Sequence, residues 1–181
     1  MGLRYAAFLT LLTLAGCSGR HVAFMDAIEV PIASAQDRQA LIDTLRHAAQ
    51  IDPAVHVEDA TAQWLAMQAR DRSTPPGKRA TLYVGVWRGA GDKVPLAEAM
   101  DYLHPGRVWV TFREGSDPFH VRVAALSGIQ VRFPQAHGLP VLPDGGLPLD
   151  ADLRLTTQGY RIDPARAAAY YLPPTSPLLA R

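Results

Sequence analysis

Residues 106–134 read GRVWVTFREGSDPFHVRVAALSGIQVRFP, and apolar residues alternate with polar ones through most of that stretch. A period of two puts successive side chains on opposite faces of a strand. The pattern predicts three strands, 107–113, 119–126 and 129–133. Glu114 to Pro118 would be a loop, and Ser127-Gly128 a tight turn. Val108, Val110 and Phe112 would face one way, with Phe119, Val121 and Val123, then Ile129, Val131 and Phe133. That is the buried face of an antiparallel meander.

The flanking text adds helices and further strands. HVAFMDAIEVPI, from His21, alternates as a strand whose phase breaks at Met25-Asp26, where a bulge is expected. Ser34, with Asp37 three residues on, looks like the N-cap of a helix over 35–49. Leu41, Ile42, Leu45, Ala48 and Ala49 give that helix one apolar stripe. After Asp52-Pro53, Val55 and Val57 suggest a short strand. Thr61, Trp64, Leu65 and Gln68 share a face of a helix running from about Asp59 to about Arg72. STPPGK is a break, and RATLYVGVWRG predicts a strand over 80–87. Pro95, suited to a first helical position, predicts a short helix over 95–103. From His137 the proline spacing is incompatible with a central strand. An extended segment across the body is expected there, with an edge strand near 153–156. Asp163-Pro164 predicts a last helix, 164–172, stopped by Pro173-Pro174, and then a frayed tail, 173–181.

The fold class expected is α+β: a mostly antiparallel sheet with helices on one face, 22–172 forming a single domain. The repeated strand–helix–strand order would allow a ferredoxin-like core with a β-meander extension. The 181 residues suit one domain, and 48% hydrophobic against 19% charged residues excludes wholesale disorder. A formal charge of +1 supplies no global field for nucleic acid, so no nucleic-acid partner is expected.

The N-terminus is an address. Arg4 precedes an apolar run, Tyr5 to Leu14, which is shorter than the roughly 20 residues that cross a bilayer and matches the core of a secretory signal. Leu14-Ala15-Gly16-Cys17 then resembles the lipobox of bacterial lipoproteins. The resemblance implies cleavage after residue 16 and lipidation of Cys17, the chain's one cysteine. Residues 17–21 would be a short lipidated tether that keeps the body close to the membrane. Several acyl chains anchor stably where one alone is marginal. Ser18 is not the Asp that retains such proteins at the inner membrane, so the resemblance favours the periplasmic face of the outer membrane. Losing Arg4 with the leader brings the 18 basic residues level with the 17 acidic ones.

No catalytic, cofactor or metal constellation emerges. The six histidines are too dispersed for a helical metal pair, and a lipidated Cys17 leaves no thiol for disulfides, zinc or nucleophilic attack. GAGDKV from Gly89 lacks the third glycine of a dinucleotide loop. Asp144, Asp150 and Asp152 lack the spacing of a calcium loop. Adjacent Glu58 and Asp59 suit the first turn of a helix. One pattern remains: opposite the aliphatic face, the three expected strands would carry Trp109 and Arg113, His120 and Arg122, and Arg132. Strand 80–87 would add Tyr83 and Trp87. Arg with Trp or Tyr is the composition of binding hot spots, so this face is the candidate recognition surface for an acidic protein partner. The competing arrangement has the 139–149 segment packing over Trp87 and Trp109.

The expected function is therefore a lipid-anchored periplasmic binding or accessory protein, without catalysis. Two alternatives are an immunity lipoprotein neutralising a toxic effector, and an envelope hydrolase built on His104 with Asp101 or His120 with Asp117. Cys17→Ser should remove the lipid attachment and release the protein from membranes. Fractionation with mass spectrometry checks this, and a variant that stays membrane-bound and full length would overturn the lipobox reading.

Overall fold

The computed structural model describes residues 23–70, 80–89, 94–104, 106–114 and 119–181. The leader, Cys17, the tether, the STPPGK break, most of the Gly89 loop and Asp117 lie outside the described residues. The chain is α+β. In order it forms β1 (Phe24–Pro31), α1 (Ala35–Ala49), β2 (Val55–Asp59), α2 (Thr61–Arg70), β3 (Tyr83–Arg88), β4 (Val94–His104) and β5 (Arg107–Arg113). Then come α3 (Phe119–Arg132), β6 (His137–Leu139), β7 (Leu153–Thr156) and β8 (Gly159–Ile162), with short 3-10 turns at Asp150–Asp152 and Pro164–Tyr170. One six-stranded sheet has the order β2-β3-β4-β5-β1-β6 with every neighbouring pair antiparallel, and β7-β8 is a separate hairpin. A ferredoxin-like core would have a single strand between the two ends of its first β-α-β unit. Here β1 and β2 bracket a whole meander, β3-β4-β5.

The first third of the chain folds as its pattern dictates. The Ser34 hydroxyl accepts the Asp37 N–H at 3.1 Å and donates to the Asp37 carboxylate at 2.8 Å, closing the cap of α1. Leu41, Ile42, Leu45, Ala48 and Ala49 are buried, as their stripe requires. The bulge in β1 falls between Phe24 and Asp26, opposite β5.

Three expected elements change character. The strands placed at 119–126 and 129–133 are one helix, α3, and the Ser127-Gly128 turn is inside it. The buried positions are Val121, Ala125, Ile129 and Phe133, a spacing of four, whereas Val123 and Val131 are 43% and 80% exposed. The same letters carried both periods, and packing on α1 selected the helical one. Gly128 is there because a Cβ would stand 2.9 Å from Thr44 Cγ2 of α1. Conversely, the helix placed at 95–103 is strand β4. Its Ala97 and Ala99 bury beside Phe112 and Val110 of β5, so neighbours on both edges override helix propensity. Pro95 is tolerated because it sits at the irregularity opposite Trp87.

The main core lies between the helices α1 and α3 and one sheet face, with Ile28, Val30, Leu41, Leu45, Val84, Val108, Val110, Phe112 and Ile129 at its centre. α2 closes the start of β3: Gln68 clasps Ala80 through its N–H and its carbonyl, both at 3.0 Å. The C-terminal tail is tied rather than frayed. Ile162 N–H donates to Leu178 O at 2.8 Å, Ala180 N–H to Ile162 O at 2.9 Å, and Leu179 is buried. Residues 164–170 form a 3-10 turn that ends at Tyr171, in the left-handed region at φ 53°, before the prolines are reached.

Ser127→Pro separates the two readings of α3. A proline inside a helix costs about 3 kcal/mol or more, so the urea midpoint should fall sharply. A hairpin turn at that position would leave it nearly unchanged.

Candidate functional site

Strand alternation sends Glu29, Trp109, Thr111, Arg113, Glu98, Tyr83 and Trp87 to the sheet face away from α1 and α3. That face is divided in two. Over β5, β1 and β6 it is covered by the segment after Leu139. Trp109, Ala27 and Leu139 form a buried cluster there with Val141, Leu147, Leu153 and Tyr160 packed on it.

At the centre of the covered half is a buried carboxylate. Glu29 is 6% exposed, and the register places it between Trp109 on β5 and His137 on β6. Arg107, two residues from Trp109, donates from Nε to Oε1 at 2.9 Å and from Nη2 to Oε2 at 2.6 Å. Trp109 Nε1 donates to Oε2 at 2.9 Å, and the Tyr160 hydroxyl to Oε1 at 2.8 Å. Each carboxylate oxygen therefore takes two donors. Without them a buried carboxylate would cost several kcal/mol. The fork geometry is the strong form of the Arg–carboxylate pair. The hydrogen bond to Glu29 holds the Arg107 guanidinium even further above neutrality than usual. Burial, then the bond to Glu29, pushes the Tyr160 hydroxyl above the ordinary tyrosine value of 10.0. Arg107 extends the network to Asp150 at 3.3 Å, whose other oxygen meets His104 Nε2 at 2.6 Å.

The other half of the face, over β2, β3 and β4, is outside that cluster. The Tyr83 ring stacks on Trp64 of α2 with centroids 4.7 Å apart and planes 13° apart. Burial, and next the charge of Glu98, raise the Tyr83 hydroxyl. The Trp87 indole occupies the space above Gly85, where a Cβ would fall 2.3 Å from its Nε1. Opposite them Arg113 Nη2 meets Glu98 Oε2 at 3.2 Å. Tyr83, Trp87, Glu98 and Arg113 are all half-buried. Trp64 Nε1 and Arg113 Nε are buried donors that have no acceptor among the described residues.

The residues singled out from the sequence thus separate into three groups. Tyr83, Trp87 and Arg113 share the open half-face. Trp109 shares the face but is 6% exposed, with its indole committed to Glu29 under the C-terminal segment. His120, Arg122 and Arg132 belong to α3, on the other side of the sheet, because their segment is helical rather than a pair of strands. Arg122 is paired there with Asp26.

The remaining candidates have structural partners. Asp101 does not meet His104: it is buried, and accepts the N–H groups of Thr81 at 2.7 Å and Leu82 at 2.8 Å. Asp152 holds Arg166 at 2.8 Å and the Tyr170 hydroxyl at 2.6 Å. Asp59, at the end of β2, accepts the Thr61 N–H at 3.1 Å and so starts α2. Among the described residues no three His, Cys, Asp or Glu side chains converge. Sequence reasoning missed Glu29 and Tyr160. The available signal was Glu29 at the outward position of a strand whose two neighbours, Ile28 and Val30, point into the core. No protein family matches the chain, and neither a curated protein nor a solved structure matches it significantly.

A tyrosine raised on folding stabilises the fold below its unfolded value, near pH 10, and loses that contribution as pH climbs towards the folded value. Tyr160→Phe should cost about 1–3 kcal/mol near neutrality, since Glu29 loses a donor. It should also lose less stability than wild type between about pH 9 and pH 11. Urea titrations across that range check the crossover.

Proposed function

We propose that this chain is a lipid-anchored envelope protein that holds a protein partner at the periplasmic side of the membrane, without chemistry of its own. The recognition surface is the open half-face, built on Tyr83 and Trp87 with Arg113. The observation that carries this reading is the division of the second sheet face. A C-terminal segment of more than forty residues follows Leu139, and its apolar cluster stops at Trp109. Two aromatic rings and an Arg–Glu pair stay half-buried beside it. Aromatic and arginine side chains beside an apolar cluster, ringed by charges, are the ordinary anatomy of a binding hot spot.

The geometry changes the chemistry expected of the partner. Arg113 is engaged with Glu98, and Arg107 with Glu29, so the face is not a field of free cations. Recognition would rest on the rings of Tyr83 and Trp87, because Trp64 Nε1 and Arg113 Nε are buried and out of a partner's reach. Trp109 serves the interior of this protein instead.

A pull-down from detergent-solubilised membranes tests the reading. Trp87→Ala should lose the recovered partner by at least about tenfold, the loss expected for a hot-spot aromatic, with a circular dichroism spectrum like that of wild type. Val131→Ala, an exposed substitution on the helical side, should recover it in full. Equal recovery by wild type and a folded Trp87→Ala, Tyr83→Ala double variant would reject the surface.

A further inference from the structure

We infer that the protein stands on the membrane by one particular end, the end where β1 begins, which rests against the lipid surface. This rests on the lipid-anchoring reading above. Between Cys17 and Ala23 there are six residue steps, which span roughly 20 Å at most whatever their conformation. Ala23 is therefore confined to the neighbourhood of the bilayer, and it is pinned to the body. Phe24 N–H donates to Gly145 O at 2.8 Å, and Glu114 N–H to Ala23 O at 2.8 Å.

The register identifies what else lies at this end. The start of β1 is beside the end of β5, the start of β4 is beside the end of β3, and β3 ends beside the start of β2. The Arg122–Asp26 pair places the first turns of α3 there, and α1 ends just before β2. Met25, Ile51, Val94 and Val123 consequently gather at one end, and each is between 41% and 53% exposed. Asp26 with Arg122 and Asp52 with Arg88 neutralise one another at the same end. Exposed apolar side chains with paired charges suit an interfacial contact whose favourable term is apolar burial. The opposite end also has exposed apolar residues, Leu65 and Met67, so the tether, not the apolar count, makes the choice. Eight residues of β1 place that end about 26 Å further from the lipid. Tyr83 and Trp64 would then lie towards the far end, with Trp87 and Arg113 of the same half-face nearer the lipid, so a partner would bind alongside the membrane surface.

Labelling the lipidated full chain tests this. Cys17 is the chain's one cysteine, and lipid occupies its sulfur, so an introduced cysteine is the sole free thiol. Ile51→Cys, Val94→Cys, Ala35→Cys and Met67→Cys would each take an environment-sensitive fluorophore. Each is reconstituted in phosphatidylethanolamine–phosphatidylglycerol vesicles containing brominated lipid, after a melting curve shows that it is folded. Quenching should be several-fold stronger at 51 and 94 than at 35 and 67. Equal quenching at both ends of a protein that floats with the vesicles would overturn the orientation alone. A wild-type protein that does not float, and whose Cys17 takes the thiol label, would overturn the anchoring and the orientation with it.

Discussion

The Glu29 carboxylate gathers its four donors from the sheet and from the C-terminal segment. Arg107, Trp109 and Tyr160 are 78, 80 and 131 residues away in sequence. The sheet alone supplies three of the four bonds, and the last requires β8 to have docked. A buried carboxylate with a missing donor is expensive, and a satisfied one is not. The site therefore couples the docking of β7-β8 to the integrity of β1 and β5, in addition to the apolar surface that Trp109 and Leu139 contribute. Asp152 repeats the device inside the segment. It binds Arg166 and Tyr170, whose hydroxyl also accepts the Leu149 N–H at 2.9 Å. Burial first, and then the bond to Asp152, raise the Tyr170 hydroxyl as they do in the first network.

This coupling also separates the covered half of the sheet face from the half proposed for recognition. The covered half of the face spends its aromatic and charged side chains on the protein's own segment. The other half has the same types of residue without that cover. The contrast between Trp109 and Trp87 is the clearest case. Both are on the same face of one sheet, yet one indole donates to an internal carboxylate and the other lies over a glycine.

Much of the fold was legible in the sequence, and the failures have a common cause. Ser34 and Asp37 announced α1 because a cap is a local device. The stripe Leu41, Ile42, Leu45 was unambiguous because only the helical period fits it. Residues 119–133 fit either period, and what decided between them was the packing of Val121, Ala125, Ile129 and Phe133 into the core beside α1, which is invisible in the text. β4 failed in the other direction: Leu, Ala, Glu and Met favour a helix, and the sheet edges of β3 and β5 prevailed. The candidate surface inherits these outcomes. Tyr83, Trp87, Trp109 and Arg113 were correctly placed on one face because β3 and β5 obey simple alternation. His120, Arg122 and Arg132 were drawn to it only by the misread helix. Glu29 was passed over because an outward position on a strand reads as solvent until a second layer covers it.

Hydrogen exchange on Glu29→Gln tests the central claim, that this carboxylate holds the C-terminal layer on the sheet. Removing the charge weakens the bonds from Arg107, Trp109 and Tyr160 without removing the side chain's volume. The account predicts that amides of β6, β7 and β8 lose protection together, while those of α1 and α3 retain most of theirs. Unchanged protection in β7 and β8, or a uniform loss across the whole chain, would contradict it.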